Sequence, residues 1–420
     1  MIPHSTKFDY SSQFDQWSAD NRHICVIPYN NIGISSGITK HAPCCWYRSS
    51  GAVDPIAEVK QNIELGRTDK NCYLCHTKED NGQISGRQRA LLDLTPPGLT
   101  KFLTTKKLNN FFMFVTFSNK CNMACRICNA GTSSLYDSIW NNNKTKLNYV
   151  DDDPTYFEII KSEILATVDQ HEIFNLMIMG GEGTIQSDLY TLADWLQREH
   201  LSENINLRIG TNGSVFHDDI FNQWCNNFKS LSFSISVDST DDDNFVYVRY
   251  PVKFEKIHHN LQHFKSLAET HSNSSFSISP TFYINNIAYL KEFLDYFESF
   301  KISGRGVKIF DNSLSECDHL SLLALPLYLR KKIAQQIQDI LSYNYSLFID
   351  NPVFKQSVYS LLDQLTGDNF SESNWATYIS TTAKWDRLTN TDLGVNNKKL
   401  WDLLSVADQA AYRLESSKLQ

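Results

Sequence analysis

The stretch Ser118–Gly131, "SNKCNMACRICNAG", packs Cys121, Cys125 and Cys128 into a C-x3-C-x2-C spacing. A structural zinc site takes four protein ligands and a disulfide framework takes pairs, so three thiols complete neither. Three thiolates do suit a four-iron cluster in which one iron is left open, much as a catalytic zinc keeps a vacant position. A zinc site completed by a distant fourth ligand is the alternative that the spacing leaves open.

The loop directly follows "FFMFVTF" (111–117), the first of six short apolar or β-rich runs. The others are "FNLMIMG" (174–180), "INLRIGT" (205–211), "LSFSISV" (231–237), "SFSISPTFY" (275–283) and "GVKIF" (306–310). Helix-like stretches at 187–199, 217–228, 253–269, 287–300 and 326–343 separate or follow them, and a further helix is expected at 154–169 after the Asn-rich "WNNNKTK". Strands alternating with helices predict parallel βα units, and six suit an open or partial barrel better than a closed eightfold one. The three-cysteine loop then sits at the C-terminal end of a strand, where such folds place their chemistry.

The 420 residues allow one large or two medium domains, and 41% apolar content with 25 Phe, 19 Tyr and 8 Trp supplies a sizeable core. The net charge of −8 argues against a surface built to hold nucleic acid phosphates. No signal-peptide pattern opens the chain and no run of about 18 apolar residues occurs, so the expectation is a cytoplasmic protein without a membrane span. There are ten cysteines, eight of them in the first 128 residues. In a reducing compartment such clusters read as metal ligands rather than disulfides, while Cys225 and Cys317 read as ordinary thiols.

With these motifs in view, "CNMACRIC" resembles the cluster loop of the radical S-adenosylmethionine (radical SAM) superfamily. The resemblance implies an α/β fold, a partial (β/α)6 TIM-like barrel. It implies a [4Fe–4S] cluster on Cys121, Cys125 and Cys128 whose open iron is chelated by S-adenosylmethionine, with Ile127 packing near the adenine. Three later segments resemble further elements of that family in the expected order. "MGGEG" (179–183) resembles its Gly-Gly-Glu-Pro element, which implies that Gly180 and Gly181 approach the cofactor and Glu182 meets the methionyl ammonium; Gly183 departs from the usual Pro. "GTNGS" (210–214) puts Thr211 and Asn212 beside the cofactor, and "SISVDS" (234–239) puts Ser236 or Asp238 near the ribose. Arg249 in "YVRYP" resembles the basic residue that meets the methionyl carboxylate, and Asn285 or Asn286 would also face the cofactor.

A second group comprises Cys25, the adjacent Cys44 and Cys45, and Cys72 and Cys75 in "CYLC". It resembles the auxiliary-cluster module called SPASM or Twitch, placed before the barrel. The resemblance implies a second [4Fe–4S] cluster on Cys25, Cys44, Cys72 and Cys75, with zinc as the rival metal because four thiolates satisfy it well. His41 and His76 read as bystanders. The expected organisation is an auxiliary-cluster module over 1–108, a radical SAM barrel over 109–320 and a helical C-terminal extension over 321–420.

Taken together, the resemblance implies an enzyme that cleaves S-adenosylmethionine reductively and abstracts hydrogen from an unactivated C–H bond. The substrate is a peptide, protein or small molecule, the auxiliary cluster assists an oxidation, and the electron donor is of the flavodoxin or ferredoxin kind. A catalytically silent metal-binding protein on the same fold and an RNA-modifying enzyme are the alternatives. No acid or base for the substrate step stands out.

Overall fold

The computed structural model describes residues 12–35, 41–44, 46–48, 54–80, 84–94, 96–142, 154–310, 318–367 and 370–418. Cys45, Cys317 and most of the Asn-rich loop lie outside them. Among the described residues, eleven strands follow one another. They are β1 (Asn31–Ser35), β2 (Asn110–Thr116), β3 (Ala124–Cys125), β4 (Ile173–Ile178), β5 (Ile205–Thr211) and β6 (Ser230–Ile235), then β7 (Arg249–Tyr250), β8 (Ser274–Ile278), β9 (Lys301–Ile302), β10 (Arg305–Gly306) and β11 (Lys308–Ile309).

Seven of these strands form a sheet in the order β1-β2-β4-β5-β6-β8-β11. The pairs β1–β2, β2–β4, β6–β8 and β8–β11 are all parallel, for instance Phe112↔Asn175 between β2 and β4 and Phe233↔Phe276 between β6 and β8. All six strands expected from the sequence are present, each followed by helix or loop as a βα unit requires. The seventh, β1, comes from the N-terminal region and pairs with β2 from Asn31↔Phe112 to Ser35↔Thr116. Along β6, Leu231, Phe233 and Ile235 are buried, while the intervening serines are only half-buried. That alternation means one face packs under helices and the other stays polar.

The chain parts into two compact units. The first comprises 1–118, 148–179 and 190–207; the second comprises 119–147, 180–189 and 208–420, so β5 runs through both. These follow contacts rather than the composition breaks at 108/109 and 320/321.

In the first unit, the N-terminal region has a core of its own, which its sequence conceals. Phe14, Ile24, Val26, Leu91, Leu99 and Phe102 bury together, and Tyr47, Val59 and Ile63 form a smaller cluster against Cys25, Cys44 and Cys72. The apolar positions are scattered over several short helices, so no single stretch shows a periodic run.

In the second unit, the C-terminal segment is helical, with Leu327–Ser342, Pro352–Thr366, Glu372–Thr389 and Val406–Lys418 as its longer members. Tyr412 and Trp375 tie the last two together through Asp386 (2.6 Å) and Asp408 (2.9 Å). Among the described residues no helix is long and apolar enough to cross a membrane.

Candidate functional site

The three-cysteine loop lies wholly in the second unit, and its backbone is pinned at both ends. Ser134 Oγ accepts from the Cys121 N–H at 3.1 Å, and Ser133 Oγ donates to the Met123 carbonyl at 2.6 Å. Cys125 sits in β3, which pairs antiparallel with β7 so that Cys125 faces Arg249. The Cys128 N–H closes a turn onto the Cys125 carbonyl at 3.0 Å. Cys125 is buried, while Cys121, Cys128 and Ile127 are half-buried.

Two segments distant in sequence close on this loop. The Glu182 N–H donates to the Lys120 carbonyl at 2.8 Å. Gly180 and Gly181 have φ of +80° and +54°, the left-handed region that suits glycine. A Cβ on Gly181 would fall 2.4 Å from the Lys120 oxygen, so glycine is what lets this segment lie against the cysteine loop.

Glu182 is fully buried and its carboxylate receives four donors. Oε1 accepts from Thr184 N (3.2 Å), Thr184 Oγ1 (2.7 Å) and Thr211 Oγ1 (2.7 Å), and Oε2 accepts from Asn212 N (2.5 Å). Burial pushes the Glu182 carboxyl above its ordinary value, and these donors pull it partway back. Gly183, where the family pattern has Pro, opens a 3-10 turn through Ile185, with Glu182 capping it. Asn212 Nδ2 donates to Asn122 Oδ1 at 2.8 Å and points at Cys121 Sγ, 4.0 Å away. Residues 119–128, 180–184 and 211–214 are thus one hydrogen-bonded assembly.

At the fourth of the expected strand ends, Asp238 and Arg249, both singled out from the sequence, pair with each other. Asp238 is buried, takes the Thr281 N–H on Oδ1 at 2.8 Å and places Oδ2 2.8 Å from Arg249 Nε. The Nε–H is not aimed along that line, so the contact is an ion pair rather than a hydrogen bond. Arg249 Nη1 lies 3.8 Å from Cys125 Sγ; burial opposes the guanidinium's charge, but Asp238 together with Cys125 and Cys128 outweighs it, and the group stays firmly charged. Ser236 is half-buried, and its N–H donates to the Thr211 carbonyl at 2.9 Å. Asn286 donates to the Asp238 carbonyl at 2.9 Å, a scaffold role, and the Asn285 side chain accepts from Tyr378 at 2.7 Å.

Among the described residues, no group of three or more His, Cys, Asp or Glu side chains could hold a metal ion as it stands. A cluster spreads its thiolates around a cube, whereas a single ion draws its ligands together. The donor set itself fits a cluster: the ligand atoms are all sulfur, an amide and a guanidinium point at two of them, and such contacts stabilise thiolate charge. Burial pushes the Cys121 thiol up to about 12, and an S–H···S contact raises Cys125 while lowering Cys128.

In the first unit, Cys25, Cys44, Cys72 and Cys75 line one cavity of about 480 Å³, open solvent included. Burial pushes Cys25 up to about 12 and raises Cys72 and Cys75 as well. Backbone N–H groups of Ile27 and of Gly86 and Arg87 turn toward Cys25 and Cys75, a donor pattern that also suits a sulfur-ligated metal. His76 lines the cavity too, its Nδ1 buried without a hydrogen-bond partner, whereas His41 lies 3.6 Å from Glu163. Sequence reasoning missed Arg87, which lines this cavity and is argued below.

Gly181 gives a prediction that depends only on backbone geometry. Gly304 also has a positive φ, +78°, but a Cβ there meets nothing within 4 Å. Gly304→Ala is expected to lower stability by about 1–2 kcal/mol, the strain alone. Gly181→Ala adds the clash with Lys120 and is expected to cost about 2–4 kcal/mol. Urea midpoints of the two variants measure the difference.

Residues 115–297 match the model of the Radical SAM superfamily. No curated protein matches the chain. Among solved structures it is similar to "Native anSMEcpe with bound AdoMet", with 16% identity, a TM-score of 0.38, and coverage of 67% of this chain and 62% of that one. It is also similar to Streptococcus suis SuiB bound to S-adenosylmethionine, with 13% identity, a TM-score of 0.38, and coverage of 69% and 60%. SuiB bound to its precursor peptide SuiA gives 13%, 0.36, and 69% and 59%. The chain thus spans about three fifths of the length of these proteins. Over residues 115–297 the chain is similar to the Radical SAM superfamily.

Proposed function

We propose that the protein is a radical SAM enzyme that abstracts hydrogen from an unactivated C–H bond of a peptide or small molecule, with a second cluster assisting a net oxidation. The observation that supports this most is the single assembly of the cysteine loop, the Glu182 segment and the Thr211–Ser214 segment, joined by Glu182 N to Lys120 O and by Asn212 to Glu182. Residues far apart in the chain meet in one hydrogen-bonded assembly.

Cys121, Cys125 and Cys128 would hold a [4Fe–4S] cluster, and together with S-adenosylmethionine that group supplies the 5′-deoxyadenosyl radical. The protein's own share is placement and polarity. Asn212 and Arg249 offer donor hydrogens and positive charge to the Cys121 and Cys125 sulfurs, a contact that tunes the electron affinity of whatever those sulfurs bind. Glu182, anchored by Thr184 and Thr211, presents negative charge in a dry setting where a methionyl ammonium would be held strongly. Arg249 is shared between Asp238 and Cys125, so a methionyl carboxylate would bind it in company with Asp238. Cys25, Cys44, Cys72 and Cys75 would hold the second cluster, in the cavity they line.

The test uses oxygen-free, cluster-loaded protein with dithionite and S-adenosylmethionine. The expected result is 5′-deoxyadenosine, with about eight irons per chain for two cubanes. About four irons plus zinc would keep the radical chemistry and replace the second cluster by zinc. Absence of 5′-deoxyadenosine, with a reduced-cluster EPR spectrum indifferent to S-adenosylmethionine, overturns the proposal.

A further inference from the structure

Between Cys125 and Cys128 stands Arg126, and its partners come from the far end of the chain. Its backbone N–H donates to the Val248 carbonyl at 3.1 Å and Nε donates to the Tyr247 carbonyl at 2.6 Å. Nη2 donates to Asp386 Oδ1 and to Thr391 Oγ1, the latter at 3.2 Å. The guanidinium lies 3.6 Å above the Tyr247 ring.

Asp386, in the helix Glu372–Thr389, is as well satisfied as Arg126. Oδ1 also accepts from Thr391 Oγ1 (2.9 Å), and Oδ2 accepts from Tyr412 (2.6 Å) and Tyr247 (3.2 Å). The two side chains are 4% and 3% exposed. The same helix reaches the other side of the loop: Trp385 stacks on Tyr136, centroids 4.9 Å apart, in the helix Ser134–Asn141 whose first residue binds Cys121 N–H.

A buried ion pair is weak evidence for stability, because desolvation offsets most of its attraction. What such a pair does provide is a fixed geometry, and here that geometry is imposed on the one residue separating Cys125 from Ile127 and Cys128. The aromatic stack and the ion pair grip the cysteine loop from two sides. Nothing in the 321–420 sequence announces this role.

We propose that Asp386 and Arg126 are positioning residues of the radical SAM site, so that the C-terminal helices set the pose of the cysteine loop toward S-adenosylmethionine. This rests on the radical SAM reading above. Asp386 touches neither sulfur nor cofactor; it acts through Arg126.

The experiment uses the full chain, cluster-loaded without oxygen, as wild type, Asp386→Asn, Arg126→Lys and the double variant Arg126→Met/Asp386→Leu. The readouts are iron content, the EPR spectrum of the reduced cluster with and without S-adenosylmethionine, and the cofactor's Kd. The expected result is normal iron in Asp386→Asn, a weakened spectral response to S-adenosylmethionine, and a Kd raised about ten- to a hundredfold. Arg126→Lys keeps the charge and should fall between it and wild type. The double variant removes both charges together, so it keeps the test open where Asp386→Asn fails to fold; an altered cofactor response in its folded fraction supports the proposal. Variants that lose thermal stability but respond to S-adenosylmethionine as wild type does overturn it. Wild type that itself shows no response points instead to failure of the underlying reading.

Discussion

Glu182→Ala is expected to lower stability by about 3–5 kcal/mol, because it leaves buried donors without an acceptor. The backbone N–H groups of Thr184 and Asn212 and the hydroxyls of Thr184 and Thr211 all converge on this one carboxylate. An orphaned buried N–H costs about 1–3 kcal/mol, and two are created at once. Glu182→Gln behaves differently. Its amide oxygen can keep the three donors now held by Oε1, and it avoids the buried charge whose desolvation pushes the native carboxyl upward, but its amide nitrogen would face the Asn212 N–H now held by Oε2 and leave that one donor orphaned. The expected cost of that change is about 1–3 kcal/mol, the one orphaned N–H, and stays below that of Glu182→Ala.

The glutamine variant therefore separates scaffold from binding. If the carboxylate meets a methionyl ammonium, exchanging a charge-assisted contact for a neutral one weakens S-adenosylmethionine about tenfold in a protein that still folds. Thermal unfolding and equilibrium binding of the cofactor, measured on the same two variants, check both halves. Equal cofactor affinity in Glu182→Gln and wild type would restrict Glu182 to the scaffold.

The sequence made the sheet legible because parallel βα units leave a local record. Runs such as "INLRIGT" and "LSFSISV" end in a turn and lead into a helix, and β5 and β6 begin within a residue of where those runs do. The candidate site was legible for a related reason: Cys121, Gly181, Glu182 and Thr211 cluster at strand ends, where few residue types serve. β1 was hidden because five residues of mixed polarity in "NIGIS" read as loop until a neighbour pairs with them. The Arg126–Asp386 pair was hidden more deeply. It joins positions 260 residues apart, and no local pattern encodes a contact of that range. Asp238 and Arg249 were both singled out, but for separate duties; their pairing follows from β7 lying beside β3, two strands of two residues each that periodicity does not detect.

Arg87→Met is expected to be the most damaging single change in the first unit. Arg87 is buried and its guanidinium forms a fork on Glu79, Nε to Oε1 at 3.0 Å and Nη2 to Oε2 at 2.7 Å. Its remaining hydrogens go to the carbonyls of Ser18, Asn21 and Ile24 and to Ser18 Oγ. Methionine fills a similar volume, yet it takes the fork from the Glu79 charge, in a site only 7% exposed, leaving it the Ser85 hydroxyl and Arg22 at 3.9 Å, and it removes a donor from the Ser18, Asn21 and Ile24 carbonyls. Breaking a buried pair from one side costs about 3–5 kcal/mol. The segment so released, 18–24, runs straight into Cys25, one of the four thiols around the cavity that Arg87 also lines. On the two-cluster proposal above, loss of metal from that cavity should therefore accompany the loss of stability, while the Cys121–Cys128 loop keeps its own. The expected reading is a fall from about eight irons per chain to about four with the EPR response to S-adenosylmethionine preserved. Arg87→Lys, which retains charge but not the fork, should lie between. A variant that loses stability yet retains the full iron count would show that Arg87 braces the fold without setting the position of Cys25.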